Sequence, residues 1–347
     1  MSYGNGSQIH LIYGTDSNYV FPTAVSAASA AFYAAQKDRL VVHLFDFGVG
    51  DEQYDELLEI VKKGSPEVNV ERHIIDSKEY MSFGAWRGSV ATYSRMFVPD
   101  ILPDVDWAIY VDGDTLWLGD IGELWSLRDE TVSILASIDP PMPMGCSNQQ
   151  FDWYRERGLV VDENKYFCAG LILMNLRKMR EDRVSERCRV FLSEHPNPFI
   201  VDQTVLNYVL QGEAKLLPPQ WGVFSAWHRD VDLTAPALVH YARDLPWVRL
   251  KPNALLSDIV MLWYDFCREI LGRDELIRCV PWPDRMWRRL VFQILKKNQW
   301  VLLFHPYLKA KLRNTHGVSA ASLEKIKTDW KRMAELRDLK KSNLFQK

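Results

Sequence analysis

Two carboxylates spaced i, i+2 close the run Trp107-Ala108-Ile109-Tyr110-Val111-Asp112-Gly113-Asp114-Thr115. The five apolar residues before them are β-branched or aromatic and too few for a buried helix, which predicts a central strand. A side-chain period of two puts Asp112 and Asp114 on one face where that strand ends. Carboxylates so close repel each other unless a cation lies between them. Oxygen donors without a thiolate point to Mg or Mn rather than to Zn. The bland alternative is a pair of surface-loop aspartates, and only the rest of the chain decides between the two.

The elements that must position these residues alternate in type. Residues 9–13 read as a first strand, followed by the polar loop Gly14-Thr15-Asp16-Ser17-Asn18. Pro22 stands near the start of an Ala- and Ser-rich helix over 23–36. A second strand over 40–45, a helix over 52–63 ended by Gly64, a third strand over 68–75 and a helix over 89–100 come next. The strand before Asp112 is then the fourth, and the alternation argues an α/β parallel sheet. In such folds ligands bind beyond the carboxyl ends of strands, where Asp16 and Asp112 both belong. Later segments read as a strand over 131–138 ending at Asp139 and a strand over 166–175. A charged helix over 177–194, a short helix over 202–210 with Asp202 as its acidic cap, and a strand over 237–241 carrying His240 complete the series.

The chain has 347 residues, 47% hydrophobic, enough for a large core in one or two domains. Its net charge of −3 conceals an asymmetry. Residues 285–347 hold 16 basic and 4 acidic side chains, a net of +12, so the remainder carries −15. Five cysteines, odd in number and without CxxC spacing, predict reduced thiols in a cytosolic compartment. The first residues lack the pattern of a secretory leader, and no apolar run reaches the ~18 residues of a membrane span.

Taken in order, these pieces resemble glycosyltransferase family 8, the retaining sugar-nucleotide enzymes that include lipopolysaccharide galactosyl- and glucosyltransferases and glycogenins. The resemblance runs from about residue 9 to 247, and five motifs in the family's order are more specific than any one of them. It implies that Thr15-Asp16-Ser17-Asn18-Tyr19 is the first loop, with Asp16 and Asn18 on uracil and ribose. Thr92-Tyr93-Ser94-Arg95 resembles the segment whose arginine lies along the diphosphate and donor sugar, with Arg87 where some members have His. Asp112-Gly113-Asp114 becomes the DxD metal motif, with His240 as third protein ligand, and Asp139 is placed at donor sugar hydroxyls. Asp202-Gln203 resembles the pair beneath the sugar ring.

The sequence also departs from that pattern. Cys168-Ala169-Gly170 stands where the family has Asn-Ala-Gly, removing an amide expected on a sugar hydroxyl. The closing motif from His240 to Trp247 is one residue short and lacks its Gly and Lys, leaving Arg243 as the nearest cation for the phosphates. Each residue alone has a plainer reading, since an Asp after a strand is commonly a turn or cap and a strand-end His commonly a core group.

Two rivals compete with the transferase. Val111-Asp112-Gly113-Asp114-Thr115 nearly matches the first motif of haloacid-dehalogenase-type phosphatases, but that motif opens its domain whereas three strand–helix units precede this one. A non-catalytic sugar-nucleotide-binding relative is the second rival, and retention of both aspartates and His240 weighs against it. In the tail, eight basic residues over 285–313 meet no acidic one, and Trp287, Leu290, Val291, Ile294 and Leu295 fall on the opposite helical face. That composition suits an interfacial membrane helix rather than a nucleic-acid-binding segment, with a packed C-terminal helix as the alternative.

The expectation is therefore α/β: a GT-A-type, Rossmann-like mixed sheet with flanking helices over residues 1–250. A helical, basic extension over 251–347 follows, associating with an anionic membrane surface from about 285. The implied reaction is metal-dependent (Mn or Mg) transfer of galactose or glucose from a UDP-sugar, with retention, to a glycan hydroxyl of lipopolysaccharide or another surface glycolipid. The implied location is cytoplasmic, peripheral on the inner face of the plasma membrane, with no nucleic-acid partner.

Overall fold

The structure, a computed structural model, describes residues 8–86, 88–139, 149–224, 236–242, 245–247, 258–273 and 325–328. They belong to two compact units, Met1–Gly222 and Val223–Lys347.

The first unit opens with β1 (Ile9–Thr15), α1 (Val20–Tyr33), β2 (Leu40–Asp46), α2 (Asp51–Gly64) and β3 (Asn69–Ile74). β1 pairs in parallel with β2, and β2 with β3. Small residues let α1 lie close to its neighbours: a Cβ added at Gly64 would strike the backbone carbonyl of Ala28. Next come α3 (Lys78–Met81), a 3-10 turn over Ala91–Met96, α4 (Val98–Ile101) and the fully buried β4 (Trp107–Val111). The single helix expected over 89–100 is thus two short pieces. Pro99 has no N–H to give to the carbonyl of Arg95, so a helix can begin around it but not pass through it.

β5 (Thr115–Trp117) and α5 (Ile121–Trp125) follow, the latter capped by Asp120, whose carboxylate accepts from the Gly122 N–H at 3.0 Å. After β6 (Ile134–Ile138) and α6 (Gln149–Arg155) comes β7 (Phe167–Asn175), buried along its whole length. α7 (Leu176–Glu181) and α8 (Val184–Glu194) replace the one helix expected over 177–194, because Arg183 takes the left-handed conformation at φ 55°. α9 (Val201–Val209) and β8 (Ala214–Leu216) complete the unit.

Seven strands of this unit form one sheet in the order β3-β2-β1-β4-β7-β6-β8. β7 runs antiparallel to both β4 and β6, and the other pairings are parallel, so the sheet is mixed. The antiparallel strand has a geometric consequence. It brings the amino end of β7 to the edge where β1, β4 and β6 present their carboxyl ends, with Leu171 opposite Val111 and Cys168 opposite Ser137.

In the second unit, β9 (Val223–Phe224) pairs in parallel with β10 (Leu238–His240). α10 (Asp258–Glu269) buries Ile259, Val260, Leu262, Trp263, Phe266 and Cys267, and the carbonyl of Ile259 accepts from the Tyr241 hydroxyl at 3.0 Å. Buried Asp265 pairs with Arg268 at 2.9 Å and with Lys327 at 3.1 Å. Among the described residues no helix is long and apolar enough to cross a membrane. The basic segment over 285–313 lies outside the described residues.

Candidate active site

The mixed sheet gathers at one edge what the sequence scatters. Asp16 follows β1, Asp112 follows β4, Asp139 follows β6, and Cys168, Ala169 and Gly170 begin β7. The Asp112 N–H donates to the Gly170 carbonyl at 2.9 Å and the Asp139 N–H to the Tyr166 carbonyl at 3.0 Å, so Asp112 is fixed to β7 and Asp139 to the residue just before it through their backbones.

Arg95 stands at the centre of this edge, 3% exposed. Its Nη2 donates to Asp112 Oδ1 at 2.6 Å and to Thr92 Oγ1 at 3.1 Å. Its Nε lies 2.9 Å from Asp202 Oδ2 and donates to the Thr92 carbonyl at 3.0 Å, while Nη1 donates to the Ala169 carbonyl. The guanidinium also lies over the Tyr110 ring, 4.6 Å from its centroid. Burial alone would lower its pKa, but the charges of Asp112 and Asp202 outweigh burial and push it up. Asp202 is buried too, and its other oxygen accepts from the Thr92 hydroxyl. Burial and the charge of Asp112 push its carboxyl up to about 6, against the pull of Arg95 and Thr92. Asp202 is therefore not the helix cap expected from sequence. It occupies the second position of α9, after Val201 at φ 31°, and faces inward.

Asp112 and Asp114 each bring a carboxylate oxygen to within 4.8 Å of the other. Gly113 between them packs on α1, where an added Cβ would strike Thr23 Oγ1. Beneath the pair runs a buried polar chain. Thr115 Oγ1 donates to the Asp112 carbonyl at 2.8 Å and lies 2.7 Å from Ser26 Oγ, which lies 3.0 Å from the Tyr13 hydroxyl. On β1, a Cβ at Gly14 would stand 2.5 Å from the Tyr110 hydroxyl and 2.6 Å from Ser94 Oγ. Glycine there lets the turn that carries Arg95 approach the sheet. The donor chemistry fits a divalent ion: Asp112 and Asp114 bring hard carboxylate oxygens close together, with no thiolate beside them.

α9 is fastened to the start of β7. Asn207 Oδ1 accepts from the Phe167 N–H and its Nδ2 donates to the Phe167 carbonyl, both at 2.8 Å. One turn earlier, Gln203 Oε1 accepts from the Ala169 N–H at 3.0 Å, which fixes the side-chain amide's orientation at this edge. Asn207 had no signal in the sequence beyond its i+4 spacing from Gln203. The Cys168 sulfur is buried and accepts from the Gly170 N–H at 3.4 Å.

In the first loop, Asp16 Oδ1 accepts from the N–H groups of Asn18 at 2.9 Å and Tyr19 at 3.2 Å, which shapes the entry to α1, and Asn18 is exposed. Thr15 is buried and its hydroxyl accepts from Thr23 at 3.1 Å. In the second unit, His240 ends β10, 7% exposed, with its ring centroid 5.1 Å from that of Phe224. Arg87 and Arg243 lie outside the described residues.

Comparison with known proteins now decides the family. The sequence profile of glycosyl transferase family 8 matches residues 10–251. The chain belongs to glycosyl transferase family 8. General stress protein A of Bacillus subtilis (strain 168) is 26% identical over 225 residues, covering 61% of this chain and 73% of that protein. Lipopolysaccharide 1,3-galactosyltransferase of Salmonella typhimurium (strain LT2) is 26% identical over 230 residues, covering 62% of this chain and 63% of that protein. The crystal structure of galactosyltransferase LgtC with donor and acceptor sugar analogs shares the fold, with a TM-score of 0.57 at 20% identity over 70% of this chain and 90% of that one. This family-8 chain is a glycosyltransferase with a GT-A-type mixed α/β fold, and the phosphatase alternative falls away.

The raised carboxyl of Asp202 has a measurable consequence. A folded-state pKa of about 6, against 3.8 for the free group, means that the native protein keeps a proton the unfolded chain has released. Its contribution to stability is complete below pH ~4 and is lost as pH rises through about 6, a change of up to about 3 kcal/mol. Denaturant unfolding between pH 4 and 7 in the presence of chelator should show this loss in the wild type and a flatter profile in Asp202→Asn. Identical profiles would assign Asp202 an ordinary pKa.

Proposed function

We propose that this glycosyltransferase moves a hexose, galactose or glucose, from a UDP-sugar to a glycan hydroxyl with retention of configuration. The supporting observation is the convergence of Asp112, Arg95, Asp202 and Gln203 at the carboxyl edge of the sheet, in a chain whose family match spans residues 10–251. The names of relatives, among them a lipopolysaccharide 1,3-galactosyltransferase and the lipopolysaccharide glucosyltransferase WaaO of Escherichia coli, favour a lipopolysaccharide or similar surface glycolipid as acceptor. We place the transferase domain at 1–250 and read 251–347 as its helical extension.

Asp112, Asp114 and His240 would hold the divalent ion, and two carboxylates with an imidazole suit Mn better than Mg. When bound, such an ion neutralises the leaving diphosphate. The chain's own groups supply the rest. Asp16 and Asn18 orient the nucleoside, with Thr15 behind them; Arg87 and Arg243 add charge along the diphosphate; Asp139 and Asp202 accept from sugar hydroxyls. The Cys168-Ala169-Gly170 segment forms the wall beside the sugar. Gln203 is a neutral amide and a poor nucleophile, so double displacement through it is disfavoured. The acceptor oxygen instead bonds to the anomeric carbon on the face from which the diphosphate departs. The bond to the diphosphate breaks, and its oxygen takes the acceptor's proton. The dipole of the Gln203 amide stabilises positive charge at the anomeric centre.

Turnover of UDP-galactose and UDP-glucose with Mn tests this reading. Asp112→Asn and Asp114→Asn should abolish activity and the Mn-dependent part of UDP binding, whereas Gln203→Ala should retain measurable turnover. The product should be α-linked, read from the anomeric proton coupling. UDP affinity unchanged by chelator, or a β-linked product, would contradict it.

We further propose that the basic segment over 285–313 holds the enzyme at an anionic inner-membrane surface, on its composition alone. Each basic residue near such a surface adds about 1 kcal/mol. Removing residues 285–347 should release the protein from anionic vesicles while donor hydrolysis persists, and high salt should release the full chain. Vesicle binding unaffected by either treatment would leave the tail as a packed structural element.

A further inference from the structure

A second cluster of metal-ligating side chains lies on the other half of the sheet, and neither the family match nor the reaction accounts for it. Parallel pairing sets Ile12 beside His43 and His43 beside Glu71, and sets Phe45 beside His73. With a period of two along each strand, His10, His43, Glu71 and His73 all project from one face of β1, β2 and β3. His10, His43 and His73 lie on three successive strands, 33 and 30 residues apart, so only the register unites them.

The distances are those of a coordination shell. His43 Nδ1 lies 3.0 Å from His73 Nε2 and 3.3 Å from Glu71 Oε2, and the last two atoms are 4.0 Å apart. Ligands bound at about 2.0–2.1 Å to a tetrahedral zinc ion stand about 3.3 Å from one another. The other ring nitrogen of His43, Nε2, lies 2.9 Å from His10 Nδ1. A histidine that binds metal through one nitrogen and hands the proton of the other to a neighbour is the usual supporting arrangement. His43 is buried, whereas Glu71 is 46% and His73 26% exposed at their side chains, so an ion can enter from solvent and keep an open position there.

We propose that His43 Nδ1, His73 Nε2 and Glu71 form a zinc-binding site, with His10 holding the His43 ring, that fastens edge strand β3 to β2. Two imidazoles and a carboxylate are a donor set that zinc accepts readily, unlike the oxygen-rich pair at Asp112 and Asp114. Zinc takes imidazole in its neutral form, through the nitrogen that carries no proton.

The test is a zinc titration of the chelator-stripped full-length protein against a competing zinc indicator, with cobalt(II) as a spectroscopic probe of tetrahedral geometry. The wild type and Asp112→Asn should each take up one zinc at this site and show a zinc-dependent rise in Tm. His73→Gln should lose both, and Glu71→Gln should bind at least tenfold more weakly. Both altered residues are partly exposed, so the variants should fold, which circular dichroism checks. Absence of zinc uptake by the wild type, unchanged zinc affinity in His73→Gln and Glu71→Gln, or loss of uptake in Asp112→Asn would each overturn the assignment. The four residues would then be a hydrogen-bonded histidine chain only.

Discussion

One buried guanidinium holds the catalytic edge together. Arg95 reaches Asp112 just after β4, Asp202 on α9, the Ala169 carbonyl on β7 and Thr92 on its own turn. Each of its three nitrogens meets an acceptor, which offsets the cost of taking this cation out of water. Removing one partner of such a pair costs about 3–5 kcal/mol, because it strands the other charge. The site's shape therefore depends on Arg95 as much as on the sheet. The carboxylates are placed by contacts from three different elements, and the flat arginine fork fixes their directions.

That arrangement also sets the electrostatics. Arg95 pairs with Asp112 and Asp202 at once, and Asp114 brings a further carboxylate close to Asp112. Asp202, the most enclosed of those paired with Arg95, has its pKa raised by burial first and by the charge of Asp112 after it. Two carboxylates this close favour a cation beside Asp112 and Asp114. Gln203 enters this field as a neutral group whose oxygen is already committed to the Ala169 N–H. A nucleophilic carboxylate at that position would add a negative charge to an edge that already holds Asp112 and Asp202. The absence of one is consistent with attack from the leaving-group side.

Much of this was legible in the sequence, and the parts that were not share a cause. The strand ending at Asp112 could be read from five apolar residues and a spacing of two, and the order of strands and helices around it followed from hydrophobic patterning. Pro99 is visible within the apolar pattern of 89–100, and its missing N–H divides the segment that carries Arg95. Arg183, at φ 55°, carried no marker, since glycine or asparagine is the residue expected there. Pairings between distant residues were hidden. Arg95 is 74 residues from Ala169, and its contact with it exists because β7 runs antiparallel. His10, His43 and His73 are likewise unremarkable until parallel register aligns them.

The central claim is that the three-armed contact of Arg95, and not its charge alone, positions Asp112 and Asp202. Arg95→Lys separates the two, since it keeps the charge but replaces a planar fork by a single ammonium. The direct measurement is kcat and KM for Mn-dependent hydrolysis of UDP-galactose and UDP-glucose by the folded variant, with folding verified by circular dichroism. If the fork aligns the carboxylates, kcat should fall by about 100-fold or more, as expected for a displacement near 1 Å, while KM for the donor changes little. Wild-type kcat in a folded Arg95→Lys protein would contradict the account.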